Sequence, residues 1–277
     1  MPVAAGIYYT ENPDKTSLCP PLILIHGAGS SHLCWPVQLR RLPGFRVLAL
    51  DLPGHGRSDG LALQSVTACS RALVDFLVAL DIYQAVLVGH SLGGAVALET
   101  ARQYPDRVAA LGLISSGAFF NVPASLLENI TSPYSVGEGI QQLKSLLFGK
   151  QTPPLVIAQS LRELEAMRPG VLAGDWLSAA DFDLRRQAPE ILAPTWIAAG
   201  SEDRLIPLAY ARFMASALPR AQLQVLPGGS HMVLLEQPEE LQAGLSAYLI
   251  EALLPKESIP WEISTPAQQK KPIWKKE

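Results

Sequence analysis

Short apolar runs alternate with longer amphipathic segments along most of the chain. Leu22–His26 (LILIH), Val47–Leu50 (VLAL), Ala85–Gly89 (AVLVG), Leu111–Ser115 (LGLIS), Thr195–Gly200 (TWIAAG) and Leu223–Leu226 (LQVL) are largely continuous apolar stretches of strand length. Strands read this way when helices cover both faces of a parallel sheet. Between them, Ala68–Leu80, Leu92–Tyr104, Ala209–Leu218 and Pro238–Leu254 carry helical patterns. In the first of these, Leu73, Phe76, Leu77 and Leu80 recur at spacings of three and four, which makes one apolar face. The resulting βαβα order predicts a wound α/β sheet.

The alternation stops between residues 118 and 188. Short helical patterns there are broken by Pro123, Pro133, Pro153, Pro154 and Pro169, and the rhythm returns at Thr195. The stretch is too long for a plain loop and too small to fold alone. Residues 118–188 are therefore expected to form a helical cap over the carboxyl edge of a sheet built by residues 1–117 and 189–254. Residues 255–277 hold four prolines and no helical or strand period, so an extended tail is expected. No internal repeats are present.

Composition narrows the function without naming it. With 277 residues, 48% hydrophobic and 17% charged positions and a formal net charge of -3, the chain reads as a globular protein with no electrostatic footprint for nucleic acid. A small-molecule site is expected. The N-terminal MPVAAGIYYTENPDK lacks the features of a signal peptide, and no stretch nears the roughly 18 apolar residues of a membrane span, so a cytoplasmic protein is expected. Cys19, Cys34 and Cys69 are spaced for neither a disulfide framework nor a zinc cluster and read as idle thiols. No feature sets an oligomeric state.

Candidate chemistry centres on GHSLG, with Gly89, Ser91 and Gly93 in a G-x-S-x-G arrangement. By itself the pattern fits equally a tight strand-to-helix turn whose serine caps the helix. Its position is more specific, since it follows the run AVLV directly and opens the helical segment LGGAVALETARQY. A serine on such a sharp turn has its hydroxyl lifted out of the sheet, and the small neighbours let strand and helix approach closely. A hydroxyl is a poor nucleophile until a base takes its proton, so a histidine held by an acid is required. Asp203 in GSEDRLIP and His231 in GGSHMV each follow an apolar run, in the order Ser, Asp, His. Glu202 competes with Asp203 for the acid. The other four histidines, His26, His32, His55 and His90, are expected to make structural hydrogen bonds. The N–H groups of Ala28, in HGAGSS, and of Leu92 are the candidate oxyanion donors.

Five ordered motifs, HGAGSS, DLPGHGRSDG, GHSLGG, GSEDRLIP and GGSHMVLLEQPEE, resemble those of the α/β-hydrolase fold family across Leu22 to about Leu254. The resemblance implies an eight-stranded, mostly parallel sheet with one antiparallel strand near the N-terminus, here Ala4–Thr10, and a cap inserted after the sixth strand. It favours Asp203 over Glu202 through a G-x-x-D pattern from Gly200. It implies no metal or organic cofactor, and a serine at position 91 sets aside the relatives that use an aspartate nucleophile. The expected activity is hydrolysis of a small-molecule carboxylic ester with a small to medium apolar acyl group. Lactone, thioester or carbon–carbon bond hydrolysis on the same triad is the alternative, and a receptor-like or scaffolding role is the non-enzymatic one. Trp35, Phe119, Phe120 and Met232 are candidate pocket residues, although aromatics at such positions often only pack the core.

Overall fold

A computed structural model describes residues 2–14, 17, 19–150 and 152–253, so the tail expected at 255–277 lies outside the described residues. Eight strands form one sheet in the order β1-β2-β4-β3-β5-β6-β7-β8. They are β1 (Val3–Ala4), β2 (Ile7–Asn12), β3 (Leu22–Ile25), β4 (Val47–Leu50), β5 (Ala85–His90), β6 (Val108–Ile114), β7 (Thr195–Gly200) and β8 (Ala221–Leu226). Strands β3 to β8 pair in parallel, while β2 runs antiparallel to both β1 and β4. The single strand expected at Ala4–Thr10 is thus a hairpin. Ala5 and Gly6 both adopt positive φ, 49° and 77°, and reverse the chain between β1 and β2.

The helices are α1 (Val37–Arg40), α2 (Val66–Ala79), α3 (Leu92–Gln103), α4 (Ala124–Thr131), α5 (Val136–Leu147), α6 (Pro154–Ala166), α7 (Pro169–Asp181), α8 (Leu208–Ala217), α9 (Val233–Glu236) and α10 (Pro238–Leu253). Alternate residues of each central strand enter two separate apolar layers. Ile23, Ile25, Leu87 and Leu113 join Leu73, Phe76 and Leu77 of α2 and the small residues of α3 on one face. Leu22, Leu24, Val86 and Val88 join Leu39 of α1 and Leu241, Leu245 and Leu249 of α10 on the other. Burial on both sides explains why these strands read as unbroken apolar runs.

The insertion between β6 and β7 consists of α4 to α7, and its Leu143, Leu147, Leu164, Leu172 and Trp176 extend the second layer. Most of the insertion's prolines stand at helix starts and so leave the helices intact, while Pro133 lies in the turn before α5. Pro154 and Pro169 open α6 and α7, where a missing N–H costs nothing. No helix among the described residues is long and apolar enough to cross a membrane.

The closest backbone approach lies where β5 turns into α3. A Cβ at Gly89 would overlap the Gly93 carbonyl, and one at Gly93 would overlap the Ile25 carbonyl of β3. No flexible side chain is available to give way at either place. Gly93→Ala is therefore expected to cost more than about 3 kcal/mol, read as lost soluble protein or a large fall in Tm. Gly137→Ala, at an exposed α5 position with open space around it, should stabilise by about 0.5–1 kcal/mol.

Candidate active site

Ser91 sits at φ 51°, ψ -119°, a conformation that residues with a side chain rarely adopt. Hydrogen bonds from its own N–H and to its carbonyl hold it there. Its N–H donates to the Ile114 carbonyl at 3.0 Å, and its carbonyl accepts from the Ser116 hydroxyl at 2.7 Å and from Gly94 N–H at 2.9 Å. Ser91 makes no side-chain cap on α3, so the turn is not a helix-capping serine.

Parallel strands all end on one edge of a sheet, and the loops after β3, β5, β7 and β8 meet there. His231, after β8, has its Nδ1 2.9 Å from Asp203 Oδ2, after β7. Both side chains are buried. The other Asp203 oxygen accepts from Leu205 and Ile206 N–H at 2.9 and 2.8 Å, which fixes the carboxylate. Glu202 is exposed, and Asp203 is the acid that faces the imidazole.

Ser91 and His231 line one cavity of about 120 Å³ together with Ala28, Glu163, Trp176 and Met232. Its wall is mainly apolar, with Leu143, Leu147, Leu164, Leu205 and Leu235. Among the described residues its lining has no arginine or lysine, and Glu163 is the one carboxylate in it. Burial raises the pKa of Glu163 above the usual carboxylate range. A second niche of about 10 Å³, room for about one water, gathers Ala28, Ser91, Leu92, Phe120 and Trp176. Leu92 opens α3, so its N–H has no acceptor within the helix.

Met232 and Phe120 thus line the two cavities, but Trp35 and Phe119 line neither. Trp35 is buried in the layer beneath the sheet with Leu39, Leu42 and Phe45. Phe119 is drawn away by a stack on Tyr210, at 4.3 Å between centroids, and by the Arg185 guanidinium over its ring. Trp176 borders both cavities, and nothing in its spacing along the sequence distinguishes it from the other aromatic and apolar residues of the insertion.

The remaining histidines all have structural partners. His26 accepts from Leu52 N–H at Nε2 (2.9 Å) and donates from Nδ1 to the Gly27 carbonyl (2.8 Å), which defines a neutral ring. Burial, with the nearby His55, lowers its pKa to about 4. His90 Nε2 donates to the His231 carbonyl at 3.0 Å, and burial followed by the neighbouring His231 lowers its pKa to about 3. His32 Nδ1 lies 2.8 Å from Asp51 Oδ1, and His55 Nε2 lies 2.8 Å from Asp175 Oδ2. The His231 loop is tied to the insertion as well. Met232 N–H donates to the Leu147 carbonyl at 3.2 Å, and Ser230 Oγ lies 2.9 Å from the same oxygen.

A model of the family described as "Alpha/beta hydrolase family" matches residues 22–243. The chain is 35% identical over 249 residues to the dihydrolipoyllysine-residue acetyltransferase component of the acetoin cleaving system of Pseudomonas putida, covering 83% of this chain and 63% of that protein. It is 30% identical over 244 residues to a pimeloyl-[acyl-carrier protein] methyl ester esterase of Aromatoleum aromaticum, covering 80% of this chain and 94% of that one. Among solved structures, a thermophilic esterase from Thermogutta terrifontis superposes with a TM-score of 0.80 at 25% identity, covering 90% of this chain and 94% of the other.

The two neutral histidines have a consequence for stability. Their folded pKa values, about 4 and about 3, lie below the ordinary 6.5, so below that pH the unfolded chain binds more protons and stability falls with acidification. Each contributes at most about 1.4 kcal/mol per pH unit, ending where the folded ring itself titrates. Urea midpoints measured between about pH 6.5 and 4 should fall steadily, and His90→Asn should remove roughly one proton's share of the slope. A flat profile would contradict the neutral assignment.

Proposed function

The chain belongs to the alpha/beta hydrolase family, and from that premise we propose that this hydrolase cleaves carboxylic esters through Ser91, His231 and Asp203. The observation that carries the reading is His231, paired with Asp203 at 2.9 Å and bordering the same cavity as the strained Ser91. His231 takes the Ser91 proton as Oγ attacks the ester carbonyl. Asp203 fixes the tautomer with the proton on Nδ1, leaving Nε2 as the base, and stabilises the imidazolium that forms. The oxygen that becomes negatively charged is held by the N–H groups of Ala28 and Leu92 in the small niche, where each donor is worth about 3–4 kcal/mol. The alcohol leaves with the proton from His231, and water then releases the acyl group by the same steps in reverse.

The cavity wall bears on the substrate. Its leucines and Met232 suit an apolar acyl group, and Met232 and Phe120 are the proposed contacts. A ring-cleavage dienoic acid would place its carboxylate in a wall whose described residues include no arginine or lysine, with Glu163 opposed to it. An ester uncharged near the scissile bond suits this wall better than an acid.

A fluorophosphonate probe should label Ser91, and Ser91→Ala should abolish both labelling and turnover of p-nitrophenyl esters. Asp203→Asn should lower kcat by about 10³–10⁴. An unlabelled Ser91 in folded protein would sink the reading. Matched esters ending in methyl or carboxylate report on the wall: the charged one should be slower by roughly tenfold, the scale of a 1.4 kcal/mol repulsion, with the gap narrowing in Glu163→Gln.

A further inference from the structure

We propose that Asp175, which the insertion supplies, is a positioning residue for the oxyanion loop: its carboxylate holds Gly29 N–H and thereby aims the Ala28 N–H one residue earlier. The proposal rests on the serine-hydrolase reading for the meaning of Ala28, but the contact stands on its own geometry. Asp175 Oδ2 accepts from Gly29 N–H at 2.7 Å and from His55 Nε2 at 2.8 Å. The side chain is buried at 5% exposure.

Ala28 lies between Gly27 and Gly29, two residues without side chains, so the loop has little stiffness of its own. Its shape must be imposed from outside. From below, a Cβ at Gly27 would press on His90 and Ser91. From above, a Cβ at Gly29, which sits at φ +64°, would overlap Leu164 of α6 and Leu172 of α7. Those contacts limit where the loop can go, yet apolar walls do not set the rotation of a peptide plane. A directional acceptor does, and Asp175 is the one given to Gly29.

The carboxylate itself is held in place. His55 Nδ1 faces the Pro53 carbonyl at 3.2 Å while Nε2 faces Asp175, so both ring nitrogens meet acceptors and both must donate. Burial opposes that charge, but the Asp175 carboxylate outweighs it and raises the His55 pKa. α7 and the residue before it also dock on the segment after β4 that carries His55, through Arg168 Nη2 to the Gly54 carbonyl at 2.6 Å and Ser178 Oγ to the Leu63 carbonyl at 3.3 Å. A buried ion pair is a poor device for stability alone, since apolar residues of similar volume commonly do as well. Placement of a backbone donor is something apolar residues cannot provide.

The test compares wild type, Asp175→Asn and Asp175→Ala as full chains. Hydrogen exchange of the backbone amides at 27–30 is followed by mass spectrometry. In parallel, kcat and KM on p-nitrophenyl acetate are measured, with the affinity for a trifluoromethyl ketone that forms an oxyanion on Ser91 and the affinity for a product carboxylic acid. Asp175→Ala should speed exchange at 27–30 and lower kcat by about 10- to 100-fold, less than the complete loss of a donor. KM and product affinity should move by less than about threefold, while ketone affinity falls with kcat. Asp175→Asn, whose Oδ1 can still accept from Gly29, should recover part of each loss and covers the case in which the alanine variant does not fold. Unchanged exchange at 27–30 in either folded variant, or equal losses of ketone and product affinity, would overturn the proposal. If wild type fails to react at Ser91, the hydrolase reading falls, while the exchange measurement still decides whether Asp175 holds the loop.

Discussion

One residue with a side chain held in the left-handed half of backbone space organises this molecule. Ser91 at φ 51° is unfavourable by about 1–3 kcal/mol, and a position like that persists only where its surroundings leave no alternative. Here β5 lies between β3 and β6 in the middle of the sheet, with α3 descending onto β3 so closely that positions 89 and 93 admit only hydrogen. The hydrogen bonds from Ser91 to Ile114 and from Ser116 to Ser91 then close the turn from the β6 side. Because the surrounding strands are parallel, the same edge that displays Ser91 also receives the loops bearing Ala28, Asp203 and His231.

Much of this was legible in the order of residues. Apolar runs marked the six parallel strands, unbroken in β3 to β7 where both faces are covered and broken by Gln224 in the partly exposed edge strand β8, and the observed strands differ from those runs by a few terminal residues. The N-terminal hairpin was not legible, since a two-residue strand has no period and the turn at Ala5 uses a conformation its residue type does not advertise. The insertion announced itself through its prolines, most of which stand at helix starts, but its contacts with the loops below are set by packing across the chain.

At the site, the relevant distinction is between what local order determines and what only tertiary contact determines. Ser91, Asp203 and His231, the residues proposed for catalysis, stand out in the sequence because each follows a strand-like run, a local signal. Asp203 rather than Glu202 turns inward because its carboxylate caps the N–H groups of Leu205 and Ile206, an arrangement that a buried acid two residues before an apolar pair permits. The aromatics fared less evenly: Trp35 and Phe119 point elsewhere, since spacing says which face of an element a residue occupies and not what competes for its ring. Asp175 and His55 are separated by 120 positions, and no local pattern joins them.

The bonds from Leu147 to the His231 loop and from Asp175 to Gly29 leave the insertion fastened on both sides of the cavity. Between those two attachments, side chains frame the opening of the cavity. Leu33, 61% exposed, and the exposed Gln159 stand at that rim and line the cavity. Rotamer changes of such residues take picoseconds to nanoseconds. Turning those side chains changes the girth of the opening without any movement of the backbone.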